Sequence, residues 1–299
     1  YLMEKSMFKG AHTALVTPFK DREFDELSYR KLIDFQFDNG IAGIVPCGTT
    51  GESPTLSHTE HKRVIEVAID AAGGRGLVIA GTGSNSTREA ILMTQGAEKA
   101  GADAALLVCP YYNKPSQEGL FQHYRAIAQS TNLPIMLYSI PGRSVIEINV
   151  ETQARLHSEC PNVMAMKEAG GKAERVSEIL DTLPGSYQVL SGDDALTLTF
   201  MERGAVGVVS VASNLIPSKL SSLVSAMLSG DHQSAKQLDA ECSALFDGLL
   251  TLDTNPVPIK EALALTGAMT NELRLPMTGL SSAKREQLEQ MLNNLGITG

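Results

Sequence analysis

The four cysteines of this chain, Cys47, Cys109, Cys160 and Cys242, never fall within a few residues of one another. That spacing excludes the close pairs of a structural zinc knuckle or a redox dithiol. Reduced thiols in a cytoplasmic protein are the expectation. Also missing is any apolar run approaching the roughly 18 residues of a membrane span, and the opening YLMEKSM has no apolar core of the kind a secretion signal carries. Tyr1, ahead of the first methionine, reads as trimmed numbering. Basic charge is scarce as well: 25 Lys and Arg against 34 Asp and Glu leave a net charge of -9, with an isoelectric point near 5.2. So acidic a chain has no electrostatic footprint for phosphate backbones or anionic lipid, and neither nucleic acid nor a membrane is expected as a partner.

What is present is apolar and periodic. The 299 residues, 43% of them hydrophobic, suffice for one large domain with an appendage. Short runs rich in Val, Ile, Leu and Ala begin near residues 12, 43, 77, 104, 134, 163, 187 and 207, with helical patterns in the gaps. Near-continuous apolar strands alternating with helices mean a parallel sheet covered by helices, and eight such units in about 220 residues predict an α/β fold, a closed (β/α)8 TIM barrel. A doubly wound open sheet is the alternative.

Helix punctuation agrees. Ser57 with Glu60, and Ser86 with Glu89, are capping boxes that start the helices after the second and third strands. Val64, Ile65, Ala68, Ile69 and Ala72 then trace one face. Gly101, Gly204 and Gly230 follow helical patterns where left-handed caps favour glycine. From Asp231 the strand pattern stops, and Ala235, Leu238, Cys242, Leu245 and Leu249 form one helical stripe. Pro256 and Pro258 break it, and Leu288, Met291, Leu292 and Leu295 mark a last helix. The expected division is a catalytic barrel over 1–230 and a C-terminal helical domain over 231–299.

Chemistry in such a barrel gathers at the carboxyl ends of the strands. The sixth strand, VMAMKEA over 163–169, ends in Lys167, with Val163, Ala165 and Lys167 expected on one face and Met164, Met166 and Glu168 on the other. A lysine amine held in an apolar cavity disfavours its charged form, which can lower a pKa of about 10.4 to roughly 7 or 8 and make it a nucleophile toward ketones and aldehydes. The plain alternative is a strand-end lysine snorkelling to solvent. Gly48 to Gly51 form a tight turn whose amides and hydroxyls suit a carboxylate or phosphate, or serve only as a turn. The Lys and spacing of a Walker loop are absent, and Gly81-Thr82-Gly83 lacks the third glycine of a dinucleotide fingerprint. Tyr138 on the fifth strand is placed to shuttle protons beside an amine, or simply to pack, as are Tyr111 and Tyr112. Arg143 in a Pro-Gly loop suits a bidentate carboxylate grip, or solvent. His58 and His61, one helical turn apart, have no third ligand at a zincin spacing, so no metal is expected and a surface or interface role is the reading.

Taken in order, GTTGE at 48–52, PYYNKPSQEG at 110–119, YSIPGRS at 138–144, MKEA at 166–169, LSGDD at 190–194, NPVPIKEAL at 255–263 and LRLPMTGL at 273–280 resemble the dihydrodipicolinate synthase family of the class I pyruvate lyase and aldolase superfamily. The resemblance covers essentially the whole chain. It implies a (β/α)8 barrel with a C-terminal helical domain, and a Schiff base between Lys167 and pyruvate whose enamine attacks L-aspartate 4-semialdehyde before cyclisation and water loss. The imine is the electron sink, so no cofactor is implied. By the same resemblance Tyr138, Thr49 and Tyr112 relay protons, Tyr112 from a neighbouring subunit. Thr50 holds the pyruvate carboxylate, Val209 lines the pocket, and Arg143 receives the carboxylate of the semialdehyde. Ser53, His58, His61, Asn85, Glu89 and Tyr111 match an effector site for the inhibitor L-lysine at a dimer interface, and a homotetramer built as a dimer of dimers is implied.

Ser139, Ser144 and Gly170 depart from the commonest pattern, where Asn, Thr and Ser or Thr stand. They leave room for a sibling pyruvate aldolase acting on a sialate or 2-keto-3-deoxy sugar acid, against which Arg143 speaks. A barrel that only binds a small carboxylate is the non-enzymatic alternative.

Overall fold

The structure, a computed structural model, describes residues 6–297; the first five residues, including Tyr1 and most of YLMEKSM, lie outside it. Eight strands, β1 (Gly10–Ala14), β2 (Gly43–Val45), β3 (Leu77–Gly81), β4 (Ala104–Val108), β5 (Ile135–Ser139), β6 (Val163–Glu168), β7 (Gln188–Ser191) and β8 (Gly207–Ser210), pair in parallel in chain order. The pairing of Gly10 to Thr13 of β1 with Gly207 to Ser210 of β8 closes the barrel, which removes the open-sheet alternative. Strand starts agree with the apolar runs to within two residues. A two-stranded hairpin, Phe19–Lys20 against Glu23–Phe24, was not legible in the sequence; it turns through Asp21 and Arg22, both at positive φ.

Helices alternate with the strands: α1 (Glu26–Asp38), α2 (His58–Ala72), α3 (Thr87–Ala100), α4 (Gln117–Ala128), the short α5 (Pro141–Ser144), α6 (Val150–Glu159), α7 (Glu174–Thr182), α8 (Thr197–Glu202) and α9 (Pro217–Ser229). The capping box of Ser57 and Glu60 is complete. The second expected box forms only by half: Ser86 caps the amide of Glu89, but the Glu89 carboxylate bonds to the Ser84 hydroxyl instead of reaching back. On α2, Val64, Ile65, Val67, Ala68 and Ala72 are buried, each large aliphatic contributing about 1.5–3 kcal/mol.

Period-two alternation divides the apolar residues into two shells. Inside the barrel lie Phe8, Ala14, Val45, Ile79, Ala104, Leu106, Met136, Tyr138, Ala165, Leu190 and Val209. A larger cluster between strands and helices includes Val163 and Met166. Val163 therefore does not share the face of Ala165, contrary to expectation. The register slips between Ile135 opposite Val163 and Met136 opposite Ala165, so Met164 is an extra residue and the alternation restarts after it. His12 is also wholly buried, its Nε2 2.9 Å from the Phe8 carbonyl, and burial lowers its pKa to about 4.

The tail forms α10 (His232–Thr251), α11 (Val257–Leu265) and α12 (Ser282–Asn294). Ala235, Cys242, Leu245 and Leu249 of α10, with Leu288 and Leu292 of α12, join the outer shell of the barrel in one apolar cluster. No helix among the described residues is long and apolar enough to cross a membrane.

Candidate active site

Lys167 and Tyr138 stand opposite each other in the β5–β6 register. Both are buried, and Nζ of Lys167 lies 4.1 Å from the centroid of the Tyr138 ring. The aromatic face accepts the amine, and the phenol stays on the same barrel wall. Gly192, the residue after β7, shapes the space beside the lysine: a Cβ there would meet Lys167 Cε at 3.1 Å and Ala169 Cβ at 2.8 Å. Glu168, next in sequence, points out of the barrel and pairs with the buried Arg175 of α7 at 3.2 Å, while Arg175 also reaches Glu147 at 3.0 Å. Oε1 of Glu168 accepts from the Gly170 amide at 2.7 Å. A side chain at 170 would intrude on that carboxylate, its Cβ 2.6 Å from Oε1, which gives a local reason for glycine there.

The GTTGE turn follows β2. Two of its carbonyls are used internally, Thr49 by the Glu52 amide and Gly48 by the Ser53 amide, while no described residue accepts from the amides of Thr49 and Thr50. The turn is held from the tail. Glu52, buried and left-handed at φ 53, makes a 2.6 Å ion pair with the wholly buried Lys260 of α11. Lys260 Nζ also donates to the carbonyls of Thr17 at 3.0 Å and Glu272 at 2.6 Å and lies over the Phe19 ring. Burial lowers the pKa of Lys260, with Glu52 opposing. Asn255, just before α11, donates from Nδ2 to Thr50 Oγ1 at 3.0 Å, and its main-chain carbonyl accepts from Arg143 Nη2 at 3.0 Å.

A cavity of about 560 Å³ opens at this end, lined by Thr49, Glu52, Arg143 and Asn255 together with Ser53, His58, His61, Glu89 and Tyr111. Lys167, Tyr138, Thr50 and Val209 are not among its lining residues. All four are buried. Val209 is buried in the inner shell, paired with His12.

The six effector candidates also come together. His58 Nε2 is 3.1 Å from Glu89, and Asn85 Nδ2 holds the Tyr111 carbonyl at 3.1 Å. His58 is exposed, but His61, for which a surface or interface place was expected, is buried within the chain against the Gly81 carbonyl at 2.9 Å, and burial lowers its pKa. The side of α2 that carries it turns inward. A second cavity, about 390 Å³, runs from His58 and Glu89 between α2 and α3 past Ile65 and Met93. Tyr112 joins neither group within the chain: it is 89% exposed, at φ 74.

LSGDD also shapes this end. Asp194 Oδ2 accepts from the amides of Val211 and Ala212 at 3.0 and 2.8 Å, tying β7 to the turn after β8, and burial raises its pKa to about 6. Asn255, Glu52, Lys260 and Gly192 carry structural duties that the motifs contained but sequence reading did not assign. Their only signal was membership of NPVPIKEAL, GTTGE and LSGDD.

The sequence profile of the Dihydrodipicolinate synthetase family matches residues 7–295. The 4-hydroxy-tetrahydrodipicolinate synthase of Syntrophus aciditrophicus is 48% identical over 293 residues, covering 98% of this chain and all of that protein. Among solved structures, the synthase of Methylacidiphilum fumariolicum SolV is 49% identical with a TM-score of 0.95, over 97% of this chain and 96% of that one. A pyruvate complex of the chloride-inhibited Acinetobacter baumannii enzyme (43%, TM-score 0.94) and a lysine-bound Cyanidioschyzon merolae enzyme (40%, TM-score 0.94) each cover 97% of this chain and 99% of their own. The chain belongs to the dihydrodipicolinate synthetase family, the 4-hydroxy-tetrahydrodipicolinate synthases, which are pyruvate-using lyases of lysine and diaminopimelate biosynthesis.

Proposed function

We propose that Lys167 condenses pyruvate with L-aspartate 4-semialdehyde through an imine. The observation that carries this reading is the buried Nζ 4.1 Å from the Tyr138 ring at the carboxyl end of β6. Nζ adds to the keto carbon of pyruvate, the carbon–oxygen bond breaks as water leaves, and the imine forms. Loss of a C3 proton yields the enamine, whose C3 bonds to the aldehyde carbon while the new alkoxide takes a proton. Attack of the semialdehyde's own amine on the imine carbon closes the ring and releases Lys167. The imine itself is the electron sink, with no cofactor.

The nearness of the Tyr138 ring to Nζ supports a proton-moving role for its phenol. The free amides of Thr49 and Thr50 suit the pyruvate carboxylate, Val209 bounds the pocket, and Arg143 suits the carboxylate of the semialdehyde. Exposed Tyr112 supports a relay of Tyr138, Thr49 and Tyr112 completed by a second copy of the chain, the pair being the active unit within a homotetramer. Four buried, unpaired cysteines support a cytoplasmic setting. Borohydride added with pyruvate is expected to leave a reduced adduct on the peptide containing Lys167, with turnover in an assay offering the semialdehyde as the acceptor. An adduct elsewhere, or none, overturns the reading. An adduct without turnover favours the sibling aldolases.

The cavity shared by Ser53, His58, His61, Glu89 and Tyr111, with Asn85 bracing Tyr111, supports L-lysine as a feedback inhibitor. Glu89, paired with His58 and Ser84, supplies negative charge to the cavity, and Tyr111 borders the cavity that Thr49 and Arg143 also line. The initial rate is expected to fall in millimolar L-lysine; an unchanged rate removes the effector assignment.

A further inference from the structure

Lys167 and Arg143 stand on different segments, the end of β6 and the short helix α5, and one buried cation joins the two. Arg175 of α7 donates from Nε to Glu168 Oε2 at 3.2 Å and from Nη2 to the Ile148 carbonyl at 2.8 Å, while its Nη1 lies 3.0 Å from Glu147 Oε1. Glu168 is the wholly buried neighbour of Lys167, and Glu147 and Ile148 end the stretch that α5 begins. Burial raises the pKa of Glu168, and Arg175 opposes that rise. The same two segments touch a second time. A Cβ at Gly170, in the turn after β6, would lie 3.3 Å from Glu147 Oε2 and 3.7 Å from Pro141 Cγ. Ser144 Oγ donates to the carbonyls of Ile140 and Ile146, which folds the stretch around Arg143 into a unit that carries a shift at 147 back to 143. Gln117 also holds this stretch, but its partners Glu147, Asn149 and Thr152 all lie within it or just beyond. Among side-chain hydrogen bonds of the described residues, those of Arg175 alone tie 141–148 to the end of β6.

We propose that Arg175 is a positioning residue for carbon–carbon bond formation: by tying Glu168 to Glu147 and Ile148 it sets where Arg143 stands relative to the amine of Lys167. The inference rests on the imine reading given above and on Arg143 as the carboxylate grip. It concerns the step after the imine. Forming the imine needs only Lys167 and pyruvate, so a loosened clamp leaves it intact. The bonding step needs the aldehyde carbon about 3–3.5 Å from the enamine carbon, and a displacement of roughly 1 Å there can cost on the order of 100-fold. A planar guanidinium that engages three partners at once fixes their separation, which a single ammonium does not.

The test uses the full chain and two measurements, the rate at which borohydride traps the pyruvate adduct on Lys167 and kcat/KM for L-aspartate 4-semialdehyde. Arg175→Lys keeps a cation beside buried Glu168, which protects the fold, but cannot span all three partners. Glu147→Ala removes only the outer arm, at a side chain 33% exposed. In each variant kcat/KM for the semialdehyde is expected to fall roughly 10-fold while the trapping rate stays within about twofold. In an Arg143→Ala background, adding Glu147→Ala should cost less than about twofold more, because no guanidinium is left to misplace; a purely structural role multiplies the loss equally in both backgrounds. Equal factors in the two backgrounds, a parallel loss of trapping, or a parental kcat/KM in either variant overturns the inference while the imine reading stands. A parent protein that forms no pyruvate adduct on Lys167 overturns both.

Discussion

Lys167→Ala should abolish the condensation, lowering kcat/KM by roughly four orders of magnitude or more, because no other group at the inner end of the site can form the imine that stabilises the carbanion. The fold should survive. Truncating the side chain removes a buried amine that has no ion-pair partner among the described residues, and leaves the Tyr138 face and the small groups Ala165, Ala169 and Gly192 around it. Thermal unfolding close to the parent, with no borohydride adduct, would isolate the chemical step from folding. Lys167→Arg makes the point more sharply, since it keeps the positive charge but not the nucleophile. Condensation by Lys167→Ala at even a tenth of the parental rate would refute the imine.

A second large effect is expected far from that amine. Lys260→Ala leaves Glu52 buried without its cation, and breaking a buried pair from one side costs about 3–5 kcal/mol. In a chain of this size that amounts to roughly 5–15 °C in Tm. Catalysis should suffer too, because Glu52 closes the turn that presents Thr49 and Thr50. Removing both charges in Lys260→Met with Glu52→Gln should restore most of the stability, since a neutral pair avoids the desolvation cost. Differential scanning calorimetry with steady-state kinetics checks both halves. A single variant losing less than about 1 kcal/mol would show that solvent reaches the pair and that the tail does not brace the turn.

The contrast between these two lysines shows how far local pattern carries. Lys167 stands out in sequence because an amine ends an apolar strand, and the strand's alternation places it indoors. Even there one detail escaped: the extra residue at Met164 moved Val163 to the outer shell, a register matter decided by pairing with β5. Lys260 has no comparable signal. It lies in a helix with buried residues on every side, and its partner is 208 residues away. Its role appears only once α11 packs beneath the GTTGE turn. Asn255 is the same case, since the distance along the chain to Thr50 and to Arg143 conceals a contact that exists only after the tail docks.

The half-formed cap at Ser86 and the burial of His61 follow the same logic. Glu89 has the right spacing to reach back along its own helix, yet it bonds to the Ser84 hydroxyl and pairs with His58 across to α2. Spacing sets what a side chain can reach, and the neighbours that packing supplies set what it does reach.

Short-range periodicity was enough, in this protein, to determine eight strands, their alternation with helices and the amine at the end of the sixth strand, whereas closure of the barrel was decided by the pairing of β1 with β8. The first three depend on steric and solvation preferences spanning only a few residues, which are written directly in the order of apolar and polar side chains. Which residues brace Thr50 and Arg143, why His61 is buried and why Tyr112 is left in solvent were decided by tertiary structure alone. Each depends on groups far apart in the chain, whose approach is governed by burying the apolar faces of α10, α11 and α12 against the barrel and by pairing the polar groups that this burial strips of water.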